Sequence, residues 1–124
     1  MRSGVVIFPG SNCDRDMIVA LRKITGKTPI KIWYKEYDIP NLDLIVIPGG
    51  FTFGDYLRCG ALAARSPVIT SIKNHISRGG TVLGVCNGFQ ILIEAKILPG
   101  SLIRNNKLLF TCRETTLEIQ SCMK

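Results

Sequence analysis

The sequence has one histidine, His75, and no pair of cysteines spaced as Cys-x-x-Cys. Because a protein zinc site usually takes its ligands from closely spaced cysteines and histidines, metal binding is disfavoured. No stretch approaches the roughly 18 apolar residues of a membrane span, and the N-terminus leads into a strand pattern without an apolar signal segment. We therefore expect a cytoplasmic protein that holds no metal and enters no membrane.

Long tracts of one charge are also missing, although 16 Lys and Arg against 9 Asp and Glu give a net charge of +7. The basic residues are scattered and not interleaved with aromatics, so they indicate a solvated surface rather than a nucleic-acid interface. Anionic small molecules or an acidic protein partner remain open as ligands. The five cysteines are odd in number and widely spaced, which fits a reducing compartment better than a disulfide framework.

What the chain does have is an alternation of strand and helix patterns within 124 residues, enough for one small domain. Apolar runs predict strands at residues 5–8, 30–34, 42–47 and 81–85, and the first and third are typical of strands buried in a parallel sheet. Helical spacing predicts a helix capped by Ser11 or Asn12 and ended by Gly26. It also predicts helices over 56–65, from Pro67 with Ser66 as its cap, and from the end of the fourth strand to residue 97.

Beyond residue 100 the alternating pattern predicts short antiparallel strands over 101–104, 107–112 and 115–119. The order of the elements predicts an α/β fold, an open, mostly parallel flavodoxin-like sheet with helices on both faces.

The most informative stretch is Gly84-Val85-Cys86-Asn87-Gly88, at the junction of the fourth strand and its helix. A residue at the tip of a tight strand-to-helix turn needs almost no side chain two positions before and two after, and glycines stand at both places. The turn would hold Cys86 at a helix N-terminus, where unpaired N–H groups favour a thiolate. The pattern predicts a nucleophile elbow, although a buried cysteine beside two turn glycines is the alternative.

The third strand ends at Pro48-Gly49-Gly50, which places backbone N–H groups at the edge where open α/β sheets carry their active sites. An ordinary Gly-Gly turn is the alternative. Cys86 and this turn both follow strand ends, so we expect them to face one crevice. His75 lies beside the apolar stripe of the preceding helix, which indicates packing rather than catalysis.

With these features, GVCNGFQ at residues 84–90 resembles the Cys-x-Gly-x-Gln signature of class I, triad-type glutamine amidotransferases. Further stretches resemble the glutaminase subunits of phosphoribosylformylglycinamidine synthases: PGSNCD at 9–14, PGGF at 48–51, GDYLRCGA at 54–61 and LPG at 98–100. The resemblance covers essentially the whole chain. It implies that residues 1–124 are the N-terminal portion of a single class I glutamine amidotransferase domain.

The resemblance implies that Cys86 attacks the side-chain amide carbon of glutamine, releasing ammonia and leaving a γ-glutamyl thioester that water hydrolyses to glutamate. The main-chain N–H groups of Gly50 and Asn87 are the donors we assign to the oxyanion, and Gln90 is assigned to hold the substrate. The ammonia serves the ATP-dependent conversion of formylglycinamide ribonucleotide to formylglycinamidine ribonucleotide in purine biosynthesis. The implied partners are a large synthetase subunit and a small bridging subunit. ATP and Mg are expected on the large subunit, and no cofactor on this chain.

Class I enzymes also use a His-x-Glu motif further along the chain, and this sequence has none. We therefore expect a fragment of a longer protein or a truncated product that is poorly soluble alone. We also expect it to be almost inactive alone, because a general base contributes on the order of 10² to 10⁴ in rate. One alternative is a truncated, non-catalytic subunit that only docks on the synthetase. Another is a cysteine peptidase or chaperone-like protein with the same elbow, which would give Gln90 no role.

Overall fold

The structure is a computed structural model that describes residues 1–118. Its elements, in chain order, are strand β1 (Ser3–Ile7), helix α1 (Asp14–Thr25), strand β2 (Ile30–Trp33), strand β3 (Leu44–Ile47), two short 3-10 segments (Thr52–Asp55 and Ala63–Arg65), helix α2 (Pro67–Ser77), strand β4 (Thr81–Gly84) and helix α3 (Asn87–Glu94). Within residues 1–118, no helix has the length and apolarity that a membrane crossing requires.

The four strands form one parallel sheet in the order β2-β1-β3-β4. In its register, Val5 pairs with Val46, and Ile47 pairs with Gly84. Because all the strands run in the same direction, their carboxyl ends lie along one edge. The end of β3 is therefore next to the end of β4, and the predicted parallel α/β sheet is confirmed.

Side chains alternate between the two faces of the sheet, as the period of a strand requires. On one face Val5 and Val46 pack with Leu21 of α1. The opposite face carries the larger cluster, which α2 and α3 cover, and its fully buried members include Val6, Ile32, Ile45, Ile47, Val68, Ile72 and Ile91. Helices on both faces, as predicted, make continuous apolar strands favourable here.

The predicted helix over 56–65 is wrong. Leu57 and Gly60 have φ angles of 68° and 80°, which an α-helix does not accommodate, and only Ala63–Arg65 forms a helical turn. The loop instead lies directly on α3, because a Cβ at Gly60 would stand 2.8 Å from the main-chain nitrogen of Ile91. The loop therefore packs against α3 with φ angles that interrupt the predicted helix.

The predicted strands over 101–104 and 107–112 are also wrong, and no strand forms over residues 115–118. Every residue from 101 to 118 is exposed. The segment contains a turn in which the Leu108 N–H donates to the Asn105 carbonyl at 2.8 Å. An alternating pattern becomes a strand only where a neighbouring strand and a covered face are present. Ile119 and Cys122 lie outside the described residues.

Of the two predicted helix caps, one is at a different residue and the other is at the predicted residue but makes no side-chain bond. Cys13, rather than Ser11 or Asn12, occupies the N-cap position of α1, and it makes no side-chain capping bond. Ser66 stands at the predicted N-cap of α2, with Pro67 in the first turn, but its hydroxyl caps nothing. The loop after β1 serves instead to support the loop after β3, as described below.

Candidate active site

Cys86 lies at the turn between β4 and α3 with φ 53° and ψ −112°, a conformation that L-residues rarely adopt. Such strain persists only where the surrounding structure fixes it, and it is concentrated at functional sites. The side chain is exposed. The structure therefore has the strained turn that the sequence predicts. The Cys86 thiol lies at the surface and not in the core.

The glycines on either side of Cys86 explain how the turn closes. A Cβ at Gly84 would be 2.8 Å from the carbonyl oxygen of Gly88, and one at Gly88 would be 2.0 Å from the carbonyl oxygen of Ile47. Real Cβ atoms do not approach main-chain atoms so closely. Both positions require glycine, because α3 begins in direct contact with its own strand and with β3.

The turn at Gly49 and Gly50 lies beside the elbow, because β3 and β4 are neighbours. A Cβ at Gly49 would stand 3.4 Å from the Cβ of Cys86. The N–H of Gly50 and that of Asn87, the first residue of α3, donate to no acceptor within residues 1–118. Two unused main-chain donors therefore accompany the exposed thiol, the kind of arrangement that stabilises a developing oxyanion.

The loop after β1 holds the Gly50 turn in place. Phe51 donates its N–H to the Gly10 carbonyl at 2.9 Å, and Phe53 donates to the Pro9 carbonyl at 2.8 Å. Gly50, at φ 141°, lies so close to Asn12 that a Cβ would be 2.7 Å from the Asn12 main-chain nitrogen. Residues 9–12 therefore fix the backbone of the turn through main-chain contacts.

The side chain of Asn87 joins the elbow to the loop after β3, and it is 1% exposed. Its Oδ1 accepts the N–H of Thr52 at 3.1 Å, and its Nδ2 donates to Asp55 Oδ1 at 3.0 Å and to Gln90 Oε1 at 2.9 Å. The sequence did not predict this role, because an asparagine at the start of a helix is expected only to cap it. The amide sets the distance between the loop and α3.

Replacing Asn87 by alanine is expected to lower the free energy of unfolding by about 2–4 kcal/mol, because it leaves the buried Thr52 N–H unsatisfied and removes two further bonds. Urea denaturation monitored by circular dichroism measures the change. Asn74→Ala, an exposed position on α2, is the matched control and should cost less than about 0.5 kcal/mol. Equal losses in both variants would show that the Asn87 bonds contribute nothing.

Beside the elbow is a cavity of about 720 Å³, bounded by Asp55, Cys59 and Gln90 and, on its outer side, by the exposed segment after residue 101. The Cys86 thiol is not part of its wall. Burial, and after it the negative charge of Asp55 and a hydrogen bond to that carboxylate, raises the pKa of the Cys59 thiol. Cys59 is therefore kept as a neutral thiol beside Asp55.

Arg58 and Glu94 tie the loop over 56–62 to α3 at the rim of this cavity. The Nε and Nη2 of Arg58 donate to the two carboxylate oxygens of Glu94, each at 2.7 Å. This geometry gives two parallel charge-assisted bonds. Hydrogen bonding to Arg58 holds the pKa of the Glu94 carboxyl below its usual value and raises that of the Arg58 guanidinium.

Because the pKa of Glu94 is lower in the folded chain, the unfolded chain binds the proton first as the pH falls. The stabilisation is complete above the unfolded-state pKa of about 4.3 and is lost as the pH falls through the folded-state value. Glu94→Gln should therefore make the free energy of unfolding less dependent on pH in the acid range, whereas Glu114→Gln, at an exposed position, should not. The midpoints of urea denaturation, determined from about pH 6 to 3, measure this pH dependence of stability. An unchanged slope in Glu94→Gln would contradict it.

His75 is a packed histidine, as the sequence indicated. It is 2% exposed, and its Nε2 lies 3.1 Å from the Thr81 carbonyl oxygen. Thr81 begins β4 and Cys86 follows its end, so the two side chains are at opposite edges of the sheet. His75 cannot act on the Cys86 thiol.

With the geometry established, comparison with known proteins identifies the family. The profile of the CobB/CobQ-like glutamine amidotransferase domain matches residues 1–122. The phosphoribosylformylglycinamidine synthase subunit PurQ of Mesorhizobium japonicum is 60% identical over 119 residues, which are 96% of this chain and 54% of that protein. The PurQ subunit of Rhizobium johnstonii is 62% identical over 119 residues, covering 96% of this chain and 53% of that protein.

Among solved structures, that of PurLQS from Thermotoga maritima contains a chain that is similar with a TM-score of 0.78 and 45% sequence identity. The similarity covers 86% of this chain and 49% of that chain. The chain thus spans about half the length of the relatives it matches. The resemblance indicated by the motifs is confirmed, and the chain belongs to the CobB/CobQ-like glutamine amidotransferase domain family.

Proposed function

We propose that this chain is the nucleophile-bearing part of a glutaminase, the component of a phosphoribosylformylglycinamidine synthase that takes ammonia from glutamine. The observation that carries the proposal is the exposed, strained Cys86 beside the unused N–H groups of Gly50 and Asn87. Its sulfur attacks the amide carbon of the glutamine side chain. Ammonia leaves, and water then hydrolyses the γ-glutamyl thioester to glutamate.

The tetrahedral intermediate places negative charge on the former carbonyl oxygen. The N–H groups of Gly50 and Asn87 come from neighbouring strand ends and are fixed by the surrounding main chain, so they need little reorganisation as the charge develops. The β1 loop holds the Gly50 turn, and the Asn87 side chain holds the following loop. These contacts support assigning both N–H groups to the oxyanion.

Gln90 stands one turn along α3 from Cys86. Its Oε1 accepts from Asn87, so its Nε2 is the group that remains for a substrate. A donor at this position suits the carboxylate of glutamine. The assignment of Gln90 as a substrate-binding residue therefore rests on the orientation of its side-chain amide.

The full reaction needs groups outside these 124 residues. We propose a large synthetase subunit, which binds ATP and Mg and activates formylglycinamide ribonucleotide, and a small bridging subunit as partners. The similarity to PurQ subunits and to a chain of a PurLQS structure supports this assembly. The glutaminase reaction itself uses no cofactor on this chain.

A non-catalytic docking subunit is the second candidate, and a specific observation favours it. The one histidine of the given sequence, His75, is buried at the opposite edge of the sheet from Cys86. A general base contributes on the order of 10² to 10⁴ in rate, so this chain on its own should hydrolyse glutamine very slowly.

Reconstitution with the two partner subunits separates the candidates. A glutaminase component should support synthesis of formylglycinamidine ribonucleotide from glutamine, with release of glutamate. A docking subunit should support synthesis from added ammonium salt but not from glutamine. Failure of glutamine to replace ammonium at any concentration would reject the glutaminase proposal.

A further inference from the structure

Asp55 is an acidic residue at the cavity that the elbow does not account for. It is half-buried, lines the cavity together with Gln90, and has a φ angle of 54°. Phe53 and Gly54 just before it are also left-handed, at 54° and 69°. Backbone strain in a non-glycine residue requires support from its surroundings, and here it directs a carboxylate to the cavity wall.

The charge of Asp55 has no basic partner within residues 1–118. The single ion pair in this part of the chain joins Arg58 and Glu94, which neutralise each other. Asp55 Oδ1 accepts a hydrogen bond from the Asn87 amide, and the Cys59 thiol also hydrogen-bonds to this carboxylate. Both donors are neutral, so neither offsets the charge of Asp55. A carboxylate held in this way at a cavity favours a cationic hydrogen-bond donor as its ligand.

The Asn87 amide places Asp55 next to the reacting centre. Its Nδ2 donates to both Asp55 and Gln90, and Asn87 directly follows Cys86 in the chain. The same contact turns the Gln90 amide so that its Nε2 is free. The wall thus presents an anionic acceptor and a neutral donor side by side, complementary to the ammonium and carboxylate groups of an α-amino acid.

We propose, on the basis of the proposed glutaminase function, that Asp55 binds the α-ammonium group of glutamine. Asp55 then selects an amino-acid amide over a plain carboxylic-acid amide and directs the side-chain amide toward Cys86. Glu94 does not fill this role, because both of its oxygens are taken by Arg58.

Two small electrophiles test the selection without requiring turnover. 2-Amino-5-chloro-4-oxopentanoate, in its L form, carries the head group of glutamine, and 5-chloro-4-oxopentanoate lacks only the α-ammonium. With either reagent the Cys86 sulfur displaces chloride to form a thioether, and the thiol proton passes to the buffer. The second-order rate of adduct formation at Cys86, measured by peptide mass spectrometry on the full 124-residue chain, gives the preference for the amino reagent.

We expect the wild-type chain to react on the order of 10- to 100-fold faster with the amino reagent, the size of one charge-assisted hydrogen bond. Asp55→Asn should reduce this preference, which is the ratio of two rates measured on the same variant, to near unity. Asp55→Glu, which keeps the charge, should retain part of the preference. Asp16→Asn, the same charge change at an exposed position of α1, should retain all of it.

Because both reagents alkylate the same sulfur, a change in the reactivity of Cys86 cancels in this ratio, so a preference lost in Asp55→Asn and kept in Asp16→Asn supports the proposal. A wild-type preference that survives in Asp55→Asn would overturn the role of Asp55 and leave the glutaminase proposal standing. A wild-type chain with no preference would overturn both. If Asp55→Asn does not fold, the Asp55→Glu preference decides, because a value equal to wild type or above it contradicts the proposal.

Discussion

Replacing Cys86 by alanine is expected to abolish glutamine-dependent synthesis in the reconstituted complex, leaving no more than the uncatalysed background. In the proposed reaction Cys86 forms the bond to the substrate, and removing such a residue from an enzyme that acts through a covalent intermediate costs on the order of 10⁶ in kcat. Cys86→Ser is expected to be nearly as poor, because a hydroxyl at the same place has a far higher pKa than a thiol. Release of glutamate from glutamine measures the loss.

Synthesis from ammonium salt provides the internal control for Cys86→Ala. It should proceed at the wild-type rate, because the substitution leaves the surfaces for the partner subunits unchanged. Cys112→Ser, at an exposed position in the segment after residue 101, is the matched cysteine variant and should keep full glutamine use. Retained glutamine turnover in Cys86→Ala would refute the assignment of the nucleophile.

Gly88→Ala is expected to lower the free energy of unfolding by more than about 3 kcal/mol, or to prevent folding, because overpacking against a main-chain atom has no flexible neighbour to absorb it. The new Cβ would lie 2.0 Å from the Ile47 carbonyl oxygen and 2.7 Å from its carbon. Helix α3 would have to move away from β3. In the helical first turn alanine is otherwise favoured over glycine by about 0.5–1 kcal/mol, so a loss can only come from the contact.

Gly79→Ala is the matched control for this substitution. Gly79 has a φ of 83° with open space around its Cβ position, so alanine there should cost only about 1–2 kcal/mol of backbone strain. Urea denaturation of both variants measures the difference. A cost for Gly88→Ala no larger than that for Gly79→Ala would show that the elbow does not depend on a close approach of α3 to β3.

The strands and the elbow could be predicted from the sequence because each depends on a local requirement. Strands β1 and β3 are continuous apolar runs, and in a parallel sheet with helices on both faces both of their sides are buried. The glycines on either side of Cys86 likewise indicate a tight strand-to-helix turn, because any larger residue at those positions would clash with the main chain. Each of these signals is contained within a few neighbouring residues.

The errors fall where the structure depends on distant contacts. Leu57 takes a left-handed conformation because the loop lies on α3, and nothing in its own identity indicates this. The network of Asn87, Thr52 and Asp55 joins residues 32 and 35 positions apart. The only local hint was the sequence Phe53-Gly54-Asp55, in which a glycine precedes a short acidic side chain. Residues 101–118 alternate like a strand but find no neighbour to pair with.

The most direct test of the account is the site of alkylation by the L-chloroketone analogue of glutamine, read from peptide mass spectra of the 124-residue chain. The chain has five cysteines that compete for the reagent: Cys13, Cys59, Cys86, Cys112 and Cys122. We expect a single adduct, on Cys86, whose formation slows when glutamine is added. Equal labelling of the exposed Cys112, or labelling of Cys86 that glutamine does not slow, would contradict the central claim that the elbow presents Cys86 to glutamine.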